Sequence, residues 1–339
     1  MLLQRTDQGL YCPQGDFHVD PWEPVPRAVV THAHSDHARW GCDSYLAAAP
    51  GEEVLRARLG PGARIRTAGW GERVTINGVT VSLHPAGHIL GSAQVRIEHA
   101  GEVAVVSGDY KLEPDATCAP FEPVRCNLFV TESTFGLPIY RWPPQAEVFA
   151  QVNAWWRANQ ELGRTSIVTA WALGKAQRLL AGLDPEIAPI LAHGAVLKFV
   201  EPYRRAGVVM PRVEYAGAEQ AKAYRGQAMV IAPPGAIEST WLRKFEPAAT
   251  AFASGWMQVR GIRRRRALDA GFVLSDHADW DDLLTAVRAT EAECVWVTHG
   301  YTGPVVRWLR EQGLEATAVA THWEGDDDAE GGDEGAVTS

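Results

Sequence analysis

The stretch Ala28-Val29-Val30-Thr31-His32-Ala33-His34-Ser35-Asp36-His37 decides how the rest of the chain is interpreted. A short apolar run, typical of a buried strand, is followed at once by three histidines and one aspartate within six residues. Chance would rarely give this density in a chain with 11 histidines among 339 residues. Imidazole nitrogen and carboxylate oxygen are ligands of zinc and, less selectively, of manganese and iron. The H-x-H-x-D-H spacing therefore predicts a metal site on the loop that follows the strand.

The composition is that of an ordinary globular protein. Hydrophobic residues make up 46% and charged residues 22% of the 339 residues, a length that indicates about two domains. The five cysteines are scattered and form no C-x-x-C pair, which argues against a disulfide framework and a zinc ribbon and fits a reducing compartment. No apolar run approaches the ~20 residues of a membrane span, and no secretory signal is recognisable. We therefore expect a soluble, cytoplasmic protein without membrane contact.

Charge is unevenly distributed along the chain. Seven acidic residues after position 323 account for most of the formal net charge of −9, and residues 323–339 are expected to be a disordered acidic tail. A basic cluster lies before this tail, and it consists of Arg260, Arg263, Arg264, Arg265 and Arg266. A solvated loop is the simpler interpretation of such a cluster. Contact with nucleic acid is the alternative, because phosphate backbones attract clustered arginines.

Local patterns predict several elements. Residues 74–76 and 79–81 flank Asn77-Gly78, which predicts a hairpin with a type I′ turn. Residues 145–161 read as an amphipathic helix, and residues 280–290 as another. Between them, strand-like and helical runs alternate from about residue 167 to 205, which is typical of a small α/β domain with a parallel sheet.

Polar side chains follow the ends of five predicted strands. These are residues 29–30 before His32, 103–106 before Asp109, 128–130 before Glu132, 272–274 before His277, and 295–297 before His299. A sixth candidate, His88, follows residues 81–83. Ligands collect at the carboxyl edge of α/β sheets, so these side chains are expected to meet in one site.

These residues carry a family resemblance. His32, His34, Asp36, His37, His88 and Asp109 resemble the ligand motifs of the metallo-β-lactamase superfamily. Glu132 in T-E-S-T-F-G, His277 in S-D-H-A-D and His299 in T-H-G resemble motifs A, B and C of its β-CASP nucleases. Within that group, residues 108–114 and 254–266 are similar to the bacterial DNA-ligase-associated exonucleases, which are relatives of the Artemis-type DNA nucleases.

The resemblance covers about residues 8–320 and implies an α/β (α+β) fold. The expected architecture is an αββα metallo-β-lactamase sandwich with an inserted α/β β-CASP domain. The first part of the sandwich would be residues 1–145, the inserted domain 146–252, and the second part 253–322.

The resemblance also implies two divalent metal ions, Zn²⁺ and/or Mn²⁺. One ion would be held by His32, His34, His88 and Asp109, and the other by Asp36, His37, Asp109 and His299. Asp20 would orient a ligand imidazole from behind. The catalytic residues would be Asp36, Glu132 and His277, with Glu132 keeping His277 protonated so that it can neutralise charge or protonate the leaving oxygen. Two ions ~3.5–4 Å apart are suited to clamp a phosphodiester and activate water.

Two further positions could bind a terminal phosphate. Lys175 opens a predicted helix, although no P-loop precedes it, and Ser239 follows Pro233-Pro234-Gly235. For each of them a plain helix start or cap is an equally good interpretation.

The preferred interpretation is a DNA exonuclease in DNA repair that acts on single-stranded or end-bearing DNA. The resemblance implies a functional link to a DNA ligase and a helicase. An RNA-processing nuclease is the alternative, because RNA-cleaving relatives carry a histidine at motif C, as His299 does here, whereas many Artemis-type enzymes lack it. A small-substrate hydrolase of the same superfamily and an inactive scaffold are less favoured, since motifs A to C and all the ligands are present.

Overall fold

The computed structural model describes residues 2–259 and 268–321 and divides the chain into two compact units. The first unit joins Met1–Tyr140 to His277–Ser339, and the second runs from Arg141 to Asp276. The basic cluster at Arg260, Arg263, Arg264, Arg265 and Arg266 and the expected acidic tail lie outside the described residues. Within those residues, the helices are too short or too polar to cross a lipid bilayer.

The first unit contains two sheets. The first sheet has six strands in sequential order: Gln4–Thr6 (β1), Gly9–Cys12 (β2), Phe17–Val19 (β3), Ala28–Val29 (β4), Tyr45–Ala48 (β5) and Ile65–Ala68 (β6). The second sheet has seven: Val74–Ile76 (β7), Val79–Pro85 (β8), Ala93–His99 (β9), Glu102–Val106 (β10), Leu128–Ser133 (β11), Cys294–Gly300 (β18) and Glu315–Ala318 (β19). Its order is β19-β18-β11-β10-β9-β8-β7, with β10, β11, β18 and β19 parallel.

A shared apolar core joins the two sheets. Val19 and Val29 of the first sheet belong to the same buried cluster as Val81, Val95 and Val130 of the second. The opposite face of the second sheet is covered by the helices Trp280–Thr290 (α6) and Thr302–Glu311 (α7), and a third helix, Glu52–Leu59 (α1), precedes β6. Alternation along the strands explains this layering, since successive side chains point to opposite faces and both faces here are apolar.

The second unit is built on one parallel sheet. Its strands are Thr165–Thr169 (β12), Ile190–Ala192 (β13), Val213–Tyr215 (β14), Met229–Ala232 (β15), Ala248–Ala253 (β16) and Ala270–Phe272 (β17), in the order β14-β13-β15-β12-β16-β17. Its α-helices are Gln145–Glu161 (α2), Lys175–Ala181 (α3), Gly194–Arg205 (α4) and Ala218–Ala223 (α5). Short 3₁₀ helices occupy Pro234–Glu238, Thr240–Phe245 and Gly255–Gln258, and a fourth, Ala49–Gly51, belongs to the first unit.

Two apolar cores enclose the parallel sheet of the second unit. Val152 and Trp156 of α2 pack with Val168 and Ile231 on one side, and Ile167 packs with α5 on the other. The α/β class and the parallel sheet predicted from the sequence are therefore confirmed. The hairpin is also confirmed, because Ile76 pairs with Val79 across Asn77 and Gly78, both of which have positive φ.

The bounds of the second unit differ from those expected for the inserted domain. Residue 252 was expected to end it, but that position lies inside β16, and β17 continues the same sheet to Phe272. The compact unit therefore reaches Asp276, directly before His277. The assignment of this unit as a β-CASP domain stays a prediction.

Candidate metal centre

The histidine-rich loop leaves β4 and turns back on itself. The His37 and Ala38 N–H groups both donate to the His34 carbonyl, at 3.2 and 2.8 Å, which closes a single helical turn over the motif. His32 and His37 are buried at 4% and 8% exposure. The turn thus brings side chains that are close in sequence to the same side of the loop.

Glycines allow the neighbouring loops to approach. Gly108, directly before Asp109, has φ of +57°, and a Cβ there would lie 2.6 Å from Thr31 Oγ1. Gly91 has φ of +76°, and its Cβ would lie 2.2 Å from Gly51 Cα. The loop that carries His88 is fixed by Ser92 Oγ, which accepts the N–H groups of His88 and Ile89 at 3.0 and 3.1 Å. Only residues without side chains fit these two positions.

Four of the expected ligands form a first cluster. Donor atoms of His32, His34, His88 and Asp109 all lie within 4.8 Å of one another. Asp109 Oδ2 is 3.5 Å from His32 Nε2 and 3.8 Å from His88 Nε2, and His88 Nε2 is 3.2 Å from His34 Nδ1. Two donors bound to one tetrahedral ion at ~2.1 Å are themselves roughly 3.4 Å apart, so the spacing suits a shared cation.

A second cluster shares Asp109. Donor atoms of His37, Asp109 and His299 again lie within 4.8 Å of one another. His299 Nε2 is 3.1 Å from Asp109 Oδ1, and His37 Nε2 is 3.4 Å from both Asp109 Oδ2 and Asp36 Oδ2. All seven expected ligands are therefore brought together, and Asp109 stands between the two sets. Their role as ligands remains a prediction.

Two buried atoms of this cluster fit a metal better than a hydrogen-bond network. His32 Nε2 and Asp36 Oδ1 have no hydrogen-bond partner among the described residues. An unsatisfied buried polar atom is costly, and such atoms commonly mark an ion or functional site. The other side of the His32 ring is committed, since its Nδ1 lies 3.0 Å from Thr31 Oγ1. The donor set is one that zinc or manganese accepts.

Crowded charges shift the pKa values of these groups. Burial, followed by the neighbouring imidazoles of His37 and others, lowers the pKa of His32 well below its ordinary value. Burial alone would lower the pKa of His37, but the carboxylates around it, Asp109 foremost, raise it well above its ordinary value. Burial would raise the pKa of Asp109, yet His37 and the hydrogen bond from His299 hold it well below the usual range. Asp109 is therefore a carboxylate, as a metal ligand must be.

Asp20 fixes the histidine-rich loop by accepting three hydrogen bonds. Its Oδ2 accepts the Nδ1–H of His37 at 2.7 Å and the hydroxyl of Thr31 at 2.6 Å, while Oδ1 accepts the Thr31 N–H at 2.8 Å. A carboxylate can only accept, so His37 carries a proton on Nδ1 and directs Nε2 toward Asp36 and Asp109. Thr31 was not predicted to be part of this network, although its position directly before His32 was a usable signal.

Glu132 and His277 form a buried pair. The Nδ1–H of His277 donates to Glu132 Oε2 at 3.0 Å, and Glu132 Oε1 accepts the Tyr110 N–H at 2.8 Å. Both side chains are almost fully buried, at 2% and 0% exposure. Donors from Asp109, Glu132 and His277 lie within 4.8 Å of one another, so this pair adjoins the candidate metal centre.

The residues predicted to contact nucleic acid differ in their surroundings. Contrary to the prediction for Lys175, its side chain is fully buried in the second unit, with Nζ 3.1 Å from Asp276 Oδ1, so it is not a surface group that could hold a phosphate. Ser239 is exposed and caps the following 3₁₀ helix by accepting the Trp241 N–H at 3.3 Å, so its phosphate contact stays a prediction. The five arginines of the basic cluster lie outside the described residues.

Three comparisons relate the chain to known proteins. No protein-family model matches it. It is 36% identical over 319 residues to a probable DNA ligase of Opitutus terrae, a match that covers 93% of this chain and 31% of that protein. It is 30% identical over 123 residues to Endoribonuclease YSH1 of Saccharomyces cerevisiae, covering 36% of this chain and 16% of the relative. The cleavage and polyadenylation specificity factor 73 of Drosophila melanogaster is 29% identical over 188 residues, covering 50% and 27%.

The chain is a homologue of β-CASP nucleases of the metallo-β-lactamase superfamily. This confirms the resemblance drawn from motifs A to C. The chain spans less than a third of the length of the relatives named here. A solved structure, a protein of unknown function from Enterococcus faecalis, superposes with a TM-score of 0.61 over 88% of this chain and 80% of its own at 11% identity, which supports the fold alone.

Proposed function

We propose that this protein is a two-metal phosphodiesterase that hydrolyses nucleic acid. The observation that carries the proposal is the pair of buried donor clusters that share Asp109. Under this proposal the first unit is the αββα metallo-β-lactamase domain and the second unit is the β-CASP domain. Relatives named as endoribonucleases, and a ligase-named relative that matches along most of the chain, support a nucleic-acid substrate.

The two donor clusters divide the proposed metal ligands. His32, His34, His88 and Asp109 would hold one ion, and Asp36, His37, Asp109 and His299 the other. When bound, two such divalent ions lower the pKa of water and offset the charge of a phosphodiester. Asp36, whose Oδ2 lies 3.4 Å from His37 Nε2, would in addition orient the attacking water, which is its proposed catalytic role.

His277 would handle the leaving group. Glu132 accepts the proton-bearing Nδ1 of His277 and is itself fixed by the Tyr110 N–H. A carboxylate in that position stabilises the imidazolium form, so the Nε2 proton is held ready for the departing oxygen. Burial excludes water from this pair and strengthens both hydrogen bonds.

DNA is the first proposed substrate. The probable DNA ligase of Opitutus terrae matches 93% of this chain, whereas the endoribonuclease matches are shorter. This supports an exonuclease in DNA repair and a functional link to ligation, while the helicase link remains a prediction. RNA is the second candidate, favoured by His299 next to Asp109 and by the relative named Endoribonuclease YSH1.

The test is digestion of single-stranded DNA and RNA of equal sequence, labelled at either end, with Mn²⁺ or Zn²⁺. We expect stepwise shortening of DNA, and we expect Asp109→Ala to lose cleavage and metal together while the exposed Asp7→Ala retains both. Preferential cleavage of RNA would contradict DNA as the substrate and favour RNA, the second candidate. No shortened product with any divalent ion, together with fewer than two bound ions, would refute it.

A further inference from the structure

A buried charged cluster in the second unit ends at the residue before His277. Lys175, Arg178 and Asp276 are exposed by 0%, 1% and 1%. Lys175 Nζ lies 3.1 Å from Asp276 Oδ1, and Arg178 Nη1 donates to the Ser275 carbonyl at 2.9 Å. Two cations of one helix thus hold two consecutive residues, Ser275 and Asp276.

The helix that supplies these cations is itself firmly placed. Gln177 Oε1 accepts the Gly174 N–H at 2.7 Å, and Gln177 Nε2 donates to the Ala172 carbonyl at 3.0 Å, so the first turn of α3 is braced. Leu179 and Leu180 of α3 lie in the apolar core of the unit. Lys175 and Arg178 are three residues apart and therefore share one face of the helix.

Stability alone is a poor explanation for this cluster. Desolvating an ion pair costs free energy that the attraction often only balances, and apolar residues of the same volume commonly do as well or better. Within the second unit, Arg157 and Asp184 form a 2.7 Å pair at the surface, where solvation is retained. Burial of the Lys175–Asp276 pair instead fixes a backbone segment, because a buried charge has few alternative positions.

We propose that Lys175, Arg178 and Asp276 are positioning residues for His277. This inference rests on the proposed role of His277 in phosphodiester hydrolysis. Asp276 and His277 are consecutive, so an anchored Asp276 side chain and an anchored Ser275 carbonyl fix the backbone that carries the imidazole. Glu132 then only has to orient the ring, through the 3.0 Å bond to Nδ1. Lys175 acts on the reaction through the chain, without touching the substrate.

The variant chosen for the test removes both charges together. Lys175→Met alone would remove one partner of a buried carboxylate, a change that is commonly strongly destabilising and could unfold the unit. The double variant Lys175→Met/Asp276→Asn keeps the volume and removes the pair. Its matched control is Arg157→Met/Asp184→Asn at the exposed pair of the same unit.

The kinetic test measures kcat, KM and bound metal. We expect the double variant to lose about 10²-fold in kcat, since small misplacements of a reacting group have that effect, with KM unchanged. Bound metal is measured in the same preparation to distinguish this loss from loss of an ion. In a His277→Ala background, the same double change should cause no further loss. Wild-type kcat in the folded double variant, or a loss that adds fully to that of His277→Ala, would overturn the proposal.

A second readout does not depend on activity. With ¹³C-labelled histidine, the imidazole resonance of His277 is assigned by its absence in His277→Ala. It should shift in Lys175→Met/Asp276→Asn and stay in place in the surface control. An unmoved resonance overturns the positioning role. An inactive wild-type protein whose His277 resonance responds would instead refute only the proposed hydrolysis.

Discussion

At the scale of single residues, the Asp109 carboxylate is surrounded by the imidazole rings of four histidines. Its two oxygens lie 3.1–3.8 Å from the ring nitrogens of His299, His37, His32 and His88. Burial and the neighbouring imidazoles lower the pKa of His32, whereas the carboxylates around His37, Asp109 foremost, raise its pKa despite burial. A bound cation must displace imidazole protons, so we expect metal affinity to weaken as the pH falls.

Asp20→Asn should weaken metal binding by roughly 10–100-fold, the usual effect of losing a hydrogen bond behind a ligand. The physical reason is that an amide no longer fixes the Nδ1 proton of His37, now 2.7 Å from Asp20 Oδ2. Competition with a fluorescent chelator measures the affinity. Asp16→Asn, at the exposed pair with Arg27, is the control. Equal affinity in both variants would contradict the role given to Asp20.

His277→Ala should lower kcat by roughly 10²–10⁴-fold, the usual contribution of a general acid. Metal content should stay the same, because His277 is held by Glu132 and is not among the proposed ligands. Steady-state kinetics and elemental analysis of one preparation give both values. His99→Ala, at a turn of the second sheet, is the control. Loss of metal from His277→Ala would contradict this role and indicate that His277 binds an ion.

At the scale of elements, the site depends on strands that end together. The parallel strands β10, β11 and β18 are neighbours in the second sheet, so Asp109, Glu132 and His299 reach the same edge. The sequence predicted this convergence because each apolar run is followed by a residue whose side chain can bind a metal or a ligand. It did not predict that the run before His277, which contains part of β17, pairs with β16 in another sheet. Strand pairing is non-local, and an apolar run does not specify its partner.

The start of α6 offers a test of pH dependence. Burial, and then the neighbouring Asp279, raise the pKa of Asp282 from 3.8 to about 6. Because the folded-state pKa lies above the unfolded value of 3.8, ionisation of Asp282 destabilises the folded protein; the penalty is absent below about pH 4 and grows until the pH passes 6. Asp282→Asn should therefore raise the free energy of unfolding by about 1 kcal/mol at pH 8, after allowance for partial solvation, and by almost nothing at pH 4.

Urea unfolding at both pH values measures this difference. Asp281→Asn, on the exposed side of the same helical turn, should show no such pH dependence. Stabilisation of Asp282→Asn that is equal at pH 4 and pH 8 would contradict the raised pKa.

At the scale of the whole molecule, the fold class was easier to predict from the sequence than the residue at which a compact unit ends. The α/β class, the hairpin and helices α2 and α6 were predicted from local periodicity, and the structure has them. The compact second unit extends beyond residue 252, the predicted end of the inserted domain, because β17 pairs with β16 in the same sheet; the bounds of that domain stay a prediction. The burial of Lys175 was also missed, since a lysine at a helix start is usually solvated.

Divalent ions should raise the melting temperature of the protein. At a hundredfold excess over Kd, binding contributes about 2.7 kcal/mol to the folded state. For a unit of this size, that corresponds to roughly 5–10 °C. Calorimetry with and without Mn²⁺ or Zn²⁺ measures the shift, and a chelator should reverse it. Asp109→Ala should show none, and a shift of equal size in that variant would place binding elsewhere.

The donor set has a consequence for biosynthesis. Its members are scattered from His32 to His299, and Asp109 joins both clusters only when β10 and β18 lie in the same sheet. During synthesis, a nascent chain therefore lacks His299 until β18 has been translated. A partly synthesised chain without β18 cannot assemble the second cluster, so under the proposed function it would not yet cleave nucleic acid.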